Sequence, residues 1–396
     1  MSAAPAIRGW CPGAHRPMVS GDGLVVRVRP PLSTLSADQA RGIAKLAESC
    51  GNGMVETTSR ANLQIRGIRE ETHLALLDGL AALGLLDESA AAEARRNLVL
   101  DPFRPVRGSA GSDDQEWMAK ALIAGLAAPD MPTLPAKFGF VVDAAPDFRR
   151  LVDVSGDIRI ESAGAGLIIR ADGAALGRAV ADAREAVATA LEMAGWFAAS
   201  GGIGTDGRGR MRRHLAAGAK LPSQLSGEVT PNPASPRITP GIIKGGLCIG
   251  AEFGLLTAEA LRFVADHAPT EIRVTPFRML YLPEAGDIER LRSVPGLVTS
   301  ADDPRLRVIA CTGAPICPQA QIATRKIARR LAATVPEGAL LHVSGCAKGC
   351  AHPGPAWRTL TGRGRRLDLI ENGAPWDTPS RTGLAADDIL HLRETS

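Results

Sequence analysis

Four cysteines are the residues whose type and spacing could do chemistry: Cys311 and Cys317 with five residues between them, and Cys346 and Cys350 with three. Each pair closes a predicted strand, 306–310 and 339–344, so both fall at one edge of a sheet. Gly313, Pro315, Gly345 and Gly349 let the backbone turn close to a bound group and aim N–H donors at it. Four thiolates suffice for one 4Fe–4S cubane. A tetrathiolate zinc site and purely structural cysteines are the alternatives, and zinc ribbons favour shorter spacing than the first pair has. Cys50 and Cys248 sit in core-like surroundings and read as small apolar fillers, and Cys11 lacks a paired partner.

Other candidates are weaker. His15, His342 and His352 stand near cysteine motifs, but a lone histidine is more often structural than a ligand. The string Gly202-Ile203-Gly204-Thr205-Asp206-Gly207 matches the dinucleotide fingerprint. It follows a helical stretch, 179–198, rather than a strand, and so reads as a loop.

The elements that must position these residues form a repeat. A strand at 24–29 is followed by a helix opened by Ser36, Asp38 and Gln39, two strands at 54–58 and 62–66, and a helix at 70–86. After a Pro/Gly/Ser-rich linker at 221–240 the order recurs. Gly246-Leu247-Cys248-Ile249 echoes Gly23-Leu24-Val25-Val26, Leu256-Thr257-Ala258-Glu259 echoes Leu35-Ser36-Ala37-Asp38, and Thr275 with Leu280-Tyr281-Leu282 echoes Thr58 with Leu63-Gln64-Ile65. Two half-domains related by a pseudo-twofold axis are predicted, at 16–90 and 240–300. They alternate with larger α/β units at 95–220 and 304–396, the latter carrying the cysteines, and a ligand is expected between the halves.

At 396 residues the chain exceeds one core. Its net charge of +4 gives no case for nucleic acid, no run could span a bilayer, and residues 1–18 have no signal-peptide core, so a cytoplasmic protein is expected. In such a reducing compartment metal ligation takes precedence over disulfides.

These motifs resemble the nitrite and sulfite reductase superfamily, an α+β fold in which two ferredoxin-like half-domains alternate with two larger α/β domains around sirohaem and a 4Fe–4S cluster. The resemblance rests on CTGAPIC and CAKGC for the cysteine pairs, TTSRANLQIRG, RRNLVLDP and LPAKFGF. Within it, WCPGAHRPMVSGDGLVVRVRP and HVSGCAKGCAHPGPA resemble the precorrin-3B synthase family of aerobic cobalamin biosynthesis. That family oxidises precorrin-3A with O2 and NADH, hydroxylating C20 and closing a lactone.

The resemblance implies that Cys311, Cys317, Cys346 and Cys350 hold the cluster. The reductases' anion pocket of two arginines and two lysines carries over as Arg60, Arg96 and Lys137, with Gly139 where the second lysine would stand. The missing cation argues against an anion to be reduced. The tetrapyrrole substrate is therefore expected in the sirohaem place, its carboxylates bound by arginines and lysine, with Arg60, Arg66, Arg96 and Lys137 as the substrate-binding set. Arg104, Arg107 and the basic loop 208–213 are further candidates. Oxygen activation raises a second, non-haem iron whose ligands stay unassigned, and NADH is expected to act through a separate reductase or electron carrier. Lys326, Arg329 and Arg330 read as a solvated face, with donor docking as the minor alternative. The rival functions are a sirohaem-dependent sulfite or nitrite reductase and a non-catalytic iron–sulfur electron carrier.

Overall fold

The computed structural model describes residues 12–106, 112–164, 166–352 and 354–390, so Cys11 and Arg107 lie outside the described residues. The chain begins with β1 (Met18–Ser20), β2 (Gly23–Val28), β3 (Thr34–Leu35), α1 (Ala37–Cys50), β4 (Met54–Thr57), β5 (Leu63–Ile68) and α2 (His73–Ala82). After the short α3 (Ala90–Arg95) come β6 (Leu98–Leu100), α4 (Ser112–Ala127), β7 (Phe140–Asp143), β8 (Ile158–Ala163), β9 (Gly166–Ala171), β10 (Arg178–Val180) and α5 (Ala183–Ala199).

Beyond α6 (Met211–Ala216) the order recurs. The second small unit is β11 (Gly241–Ile243), β12 (Gly246–Ala251), β13 (Leu255–Thr257), α7 (Ala258–Asp266), β14 (Ile272–Val274), β15 (Met279–Pro283), α8 (Glu289–Arg292) and β16 (Leu297–Val298). The second large unit is β17 (Val308–Ala310), α9 (Thr324–Leu331), β18 (Leu341–Ser344), β19 (Ala356–Arg363), β20 (Arg366–Gly373), β21 (Arg381–Leu384) and α10 (Ala386–Leu390).

The repeat is physical at each level. Ser36 caps α1 by accepting from Gln39 N while Gln39 Oε1 accepts from Ser36 N, and Thr257 caps α7 by accepting from Ala260 N. Both helices turn small and branched apolar residues inward: Ala40, Ile43, Ala44 and Ala47 from α1, and Leu261 and Val264 from α7. The two small sheets exchange strands. β13 of the second unit completes the first sheet against β4, with Leu256 opposite Val55, and β3 of the first completes the second against β14, with Leu35 opposite Ile272. Leu35 and Leu256 thereby enter one core shared by both half-domains.

The large units share a topology as well. β6, β7 and β8 run parallel and β9 and β10 return antiparallel; β17, β18 and β19 run parallel and β20 and β21 return antiparallel. In each, a helix, α4 or α9, bridges the first two parallel strands, as a parallel connection requires. The stretch 221–240 follows the first large unit, where Val229 bridges Gly177 and Ala234 bridges Arg149. Gly202 to Gly207 form a loop after α5, not after a strand. Among the described residues no helix is long and apolar enough to cross a membrane.

Candidate functional site

Because β17 and β18 are parallel, with Ala310 opposite Val343, their following loops leave the sheet side by side. These loops carry Cys311–Cys317 and Cys346–Cys350. Gly345 N–H donates to Cys311 Sγ at 3.1 Å, and Thr324 Oγ1 at the start of α9 donates to the Cys311 carbonyl at 2.6 Å. Gly313 and Gly349 adopt φ of +68° and +65°, and a Cβ on Gly313 would lie 2.2 Å from Thr324 Oγ1. Only glycine fits that turn. Burial pushes the Cys311 thiol up, and the N–H groups of Gly345 and Gly313 pull it back. Partial desolvation pushes Cys350 up against the opposing charge of Lys348, with Cys311, Cys346 and Cys317 adding to the rise, so the four sulfurs are electrostatic neighbours. Among the described residues no three His, Cys, Asp or Glu are grouped as a metal-ion site. A cubane with four irons inside its thiolate shell is the group this donor set, with its inward N–H and glycine turns, could hold.

Both half-domains grip the cysteine loops. From the first, Gly21 N and Ser20 Oγ donate to the carbonyl of Ile316, beside Cys317. From the second, Arg278 Nη2 donates to the carbonyl of Ala351, beside Cys350. A buried charge chain reinforces the first grip. Arg325 of α9 pairs with Glu56, Glu56 with Arg66 at 2.9 Å, and Arg66 with Asp22 at 3.0 Å and Ser20 Oγ at 3.0 Å. Burial pushes the Glu56 carboxyl up, but the charges of Arg325 and Arg66 outweigh it and hold Glu56 below its usual range.

The first small sheet buries Val26, Val28, Leu63 and Ile65 in the shared core, and its other face carries Arg27, Arg29, Gln64, Arg66 and Glu56. The matching face of the second sheet carries Cys248, Met279 and Tyr281, which form an apolar cluster packed by Phe103 and Phe277. Pseudo-symmetry is thus broken: one face is polar and the other is filled. Burial pushes the Cys248 thiol to about 12, in keeping with a filler.

Several buried side-chain nitrogens make no hydrogen bond among the described residues: Arg27 Nε, Arg29 Nε (which faces Glu93 at 3.6 Å), Arg325 Nε and Nη1, and both ring nitrogens of His342, one a donor and one an acceptor in the neutral ring. Buried orphan donors are rare and mark places where a ligand or water completes the structure. Sequence reasoning missed Arg27, Arg29, Arg278 and Arg325. The signal available was the alternation Val26-Arg27-Val28-Arg29, which puts two cations on one strand face opposite a fully buried one.

The residues singled out from sequence divide. Arg60 Nη1 donates to Asn97 Oδ1 at 2.7 Å and Nη2 to the Lys137 carbonyl at 3.4 Å, so TTSRANLQIRG, RRN and LPAKFGF do meet, with the Lys137 side chain exposed. Gly139 lies under this contact, where a Cβ would stand 2.9 Å from Arg60 Nη1. Arg96 instead forms a bidentate pair with Asp87, 2.9 Å at each bond. Arg66 braces the charge chain. Arg104 is fully buried on Glu116, Thr34 and the Asp101 carbonyl. In the 208–213 segment Arg210 pairs with Asp157 and Arg212 with Asp172, which folds it back on the first large unit. On α9, Arg329 pairs with Glu252 and Arg330 with Asp387, so these two face carboxylates of the chain.

The histidines do not assemble as a triad among the described residues. His15 Nε2 bonds the Asp87 carbonyl and His352 Nε2 the Pro355 carbonyl, while His342 is fully buried with its ring centroid 5.7 Å from that of His352. Burial, then the nearby His352 and Arg278, lower its pKa to about 4.

Comparison with known proteins places this architecture. Residues 16–83 match the nitrite/sulfite reductase ferredoxin-like half domain. The solved structure of the Mycobacterium tuberculosis NirA protein superposes with a TM-score of 0.63, covering 92% of this chain and 78% of that one at 17% identity, a likeness of fold. A chloroplastic ferredoxin–nitrite reductase of Zea mays is 32% identical over 98 residues, 24% of this chain and 17% of its own. The fold is that of the nitrite and sulfite reductase superfamily, with the half-domains and larger α/β units alternating as the sequence predicts. A precorrin-3B synthase from Sinorhizobium sp is 31% identical over 400 residues, 94% of this chain and 84% of that protein. The chain belongs to the precorrin-3B synthase family.

Proposed function

We propose that this protein is a monooxygenase of aerobic cobalamin biosynthesis that hydroxylates precorrin-3A at C20 and closes a lactone. One oxygen atom of O2 enters the substrate and the other leaves as water, with two electrons from NADH delivered by a separate reductase or carrier. The observation that carries this reading is a pair of buried guanidinium groups, Arg27 on the polar face of the first sheet and Arg325 on α9 after the Cys311–Cys317 loop, of which Arg27 Nε and Arg325 Nε and Nη1 have no hydrogen-bond partner among the described residues. A substrate with many carboxylates supplies acceptors for them, and charge-assisted bonds of this kind are the strong ones.

A 4Fe–4S cluster on Cys311, Cys317, Cys346 and Cys350 supplies one-electron transfer when bound. The residues around it hold and orient. Arg325, Glu56 and Arg66 fix the Cys311–Cys317 loop against the substrate-binding sheet, Arg278 fixes the Cys346–Cys350 loop, and Arg60 with Lys137 offers a further cationic contact at the far unit. Gly139 and the Arg96–Asp87 pair weigh against a sirohaem enzyme reducing sulfite or nitrite, which needs a dense positive field around its anion.

Anaerobic purification followed by absorption and EPR spectroscopy and haem extraction tests the reading. The expected protein has a cubane signature and no sirohaem, and it consumes precorrin-3A only with O2 and reductant. Stoichiometric sirohaem with anion turnover would overturn it, and an intact cluster with no turnover of precorrin-3A would leave an electron-transfer protein.

A further inference from the structure

A cavity of about 290 Å³ opens beside Arg96, with Arg29 and Lys120 as its other cations and Leu32, Leu85 and Ile123 among its apolar walls. Each cation has a carboxylate of this chain against it. Glu93 Oε1 lies 3.6 Å from Arg29 Nε, and Glu116 Oε2 lies 3.6 Å from Lys120 Nζ. Asp87 meets Arg96 with two parallel bonds, Nε to Oδ1 and Nη2 to Oδ2, both 2.9 Å. This is the fork-on-fork contact that a carboxylate or planar oxyanion entering the cavity would make. Both partners are held in place: Arg96 Nη2 also donates to the Arg29 carbonyl at 2.7 Å, and His15 Nε2 bonds the Asp87 carbonyl at 2.6 Å.

We propose that Asp87 is a specificity-determining residue whose carboxylate occupies the anion subsite that Arg96 would otherwise present, so that the cavity refuses small anions. An anion in solution must displace a carboxylate tethered to the same wall, whose effective concentration is in the mM range or above. Glu93 set against Arg29 and Glu116 against Lys120 weaken the field that these two cations present to an entering anion. This inference depends on the geometry of the cavity and stands whether or not precorrin-3A is the substrate.

The test uses the full-length protein, its Asp87→Ala and Asp87→Asn variants, and an Asp87→Ala/Arg96→Gln double variant. Sodium acetate is titrated calorimetrically and in thermal melts, against sodium chloride at equal ionic strength. The single variants are expected to bind acetate saturably and at least about tenfold more tightly than the wild type, and the double variant is expected to lose that gain. Equal acetate affinity in wild type and variants would overturn the assignment, as would folded single variants with no gain or a gain that survives loss of Arg96. The Asn variant keeps the shape of Asp87, so it decides the matter if the Ala variant unfolds. If neither folds, Asp87 is a determinant of the fold and the assignment falls.

Discussion

Arg278 Nη2 donates to the carbonyl of Ala351 across 3.2 Å, joining a turn of the second half-domain to the residue after Cys350. The turn is the pseudo-twofold mate of the one that bears Arg60: Thr275 Oγ1 accepts from Phe277 N and Met279 N just as Thr58 Oγ1 accepts from Arg60 N and Asn62 N. One turn motif therefore recurs in both half-domains. Arg278→Gln removes the tie, and the purified variant is expected to hold less iron and acid-labile sulfide than the wild type while keeping its circular dichroism. Unchanged iron content would show that the tie does not matter for the cysteine loop.

Glu56 lies between two buried guanidinium groups, so Glu56→Gln leaves Arg325 uncompensated and Arg66 with Asp22 alone. Denaturant unfolding should show a loss of about 3–5 kcal/mol. The folded carboxyl is held below its ordinary value, so its contribution is present above the unfolded pKa and is lost only as pH falls through the folded one. The wild type should thus keep this stabilisation throughout pH 5–8. A variant as stable as the wild type at pH 7 would contradict the role.

His342 shifts the other way on the pH axis. Its folded pKa of about 4 lies below the ordinary 6.5, so between these values the unfolded chain binds a proton that the folded one refuses. Stability is expected to rise with pH across that window, by up to about 3 kcal/mol from this residue. His342→Leu should flatten that part of the pH profile of the melting temperature, and an unchanged slope would refute the assignment.

Gly313→Ala forces a Cβ into the 2.2 Å gap beside Thr324 Oγ1 at a positive φ, whereas Gly286→Ala meets nothing within 4 Å. The first should destabilise by about 1–3 kcal/mol and lower iron content, and the second should stay within about 0.5 kcal/mol of the wild type. Parallel melts and iron assays distinguish them.

Gly139→Lys would not restore an anion pocket, because its Cβ would meet Arg60 Nη1 at 2.9 Å and Asn97 Nδ2 at 3.0 Å. Displacing that contact is expected to cost about 1–3 kcal/mol. Nitrite or sulfite turnover by the variant, measured with a chemical reductant, would argue against this account.

The local signals of this chain were strong enough to read without a structure. Glycines around paired cysteines, the helix cap at Ser36 with its echo in Leu256-Thr257-Ala258-Glu259, and the recurrence of strand and turn after residue 240 depend on neighbours a few residues away, and all appear in the fold. Pairing over long distances is another matter. Whether an arginine is available to a ligand depends on which carboxylate the tertiary structure sets against it: Asp87 for Arg96, Glu56 and Asp22 for Arg66, Glu116 for Arg104. Arg27 and Arg325 kept unpartnered donors for the same reason in reverse, since burial removed their water without providing an acceptor at those nitrogens. The exchange of β3 and β13 also lay beyond sequence, because two- and three-residue strands acquire a register only when a neighbouring sheet edge is there to receive them.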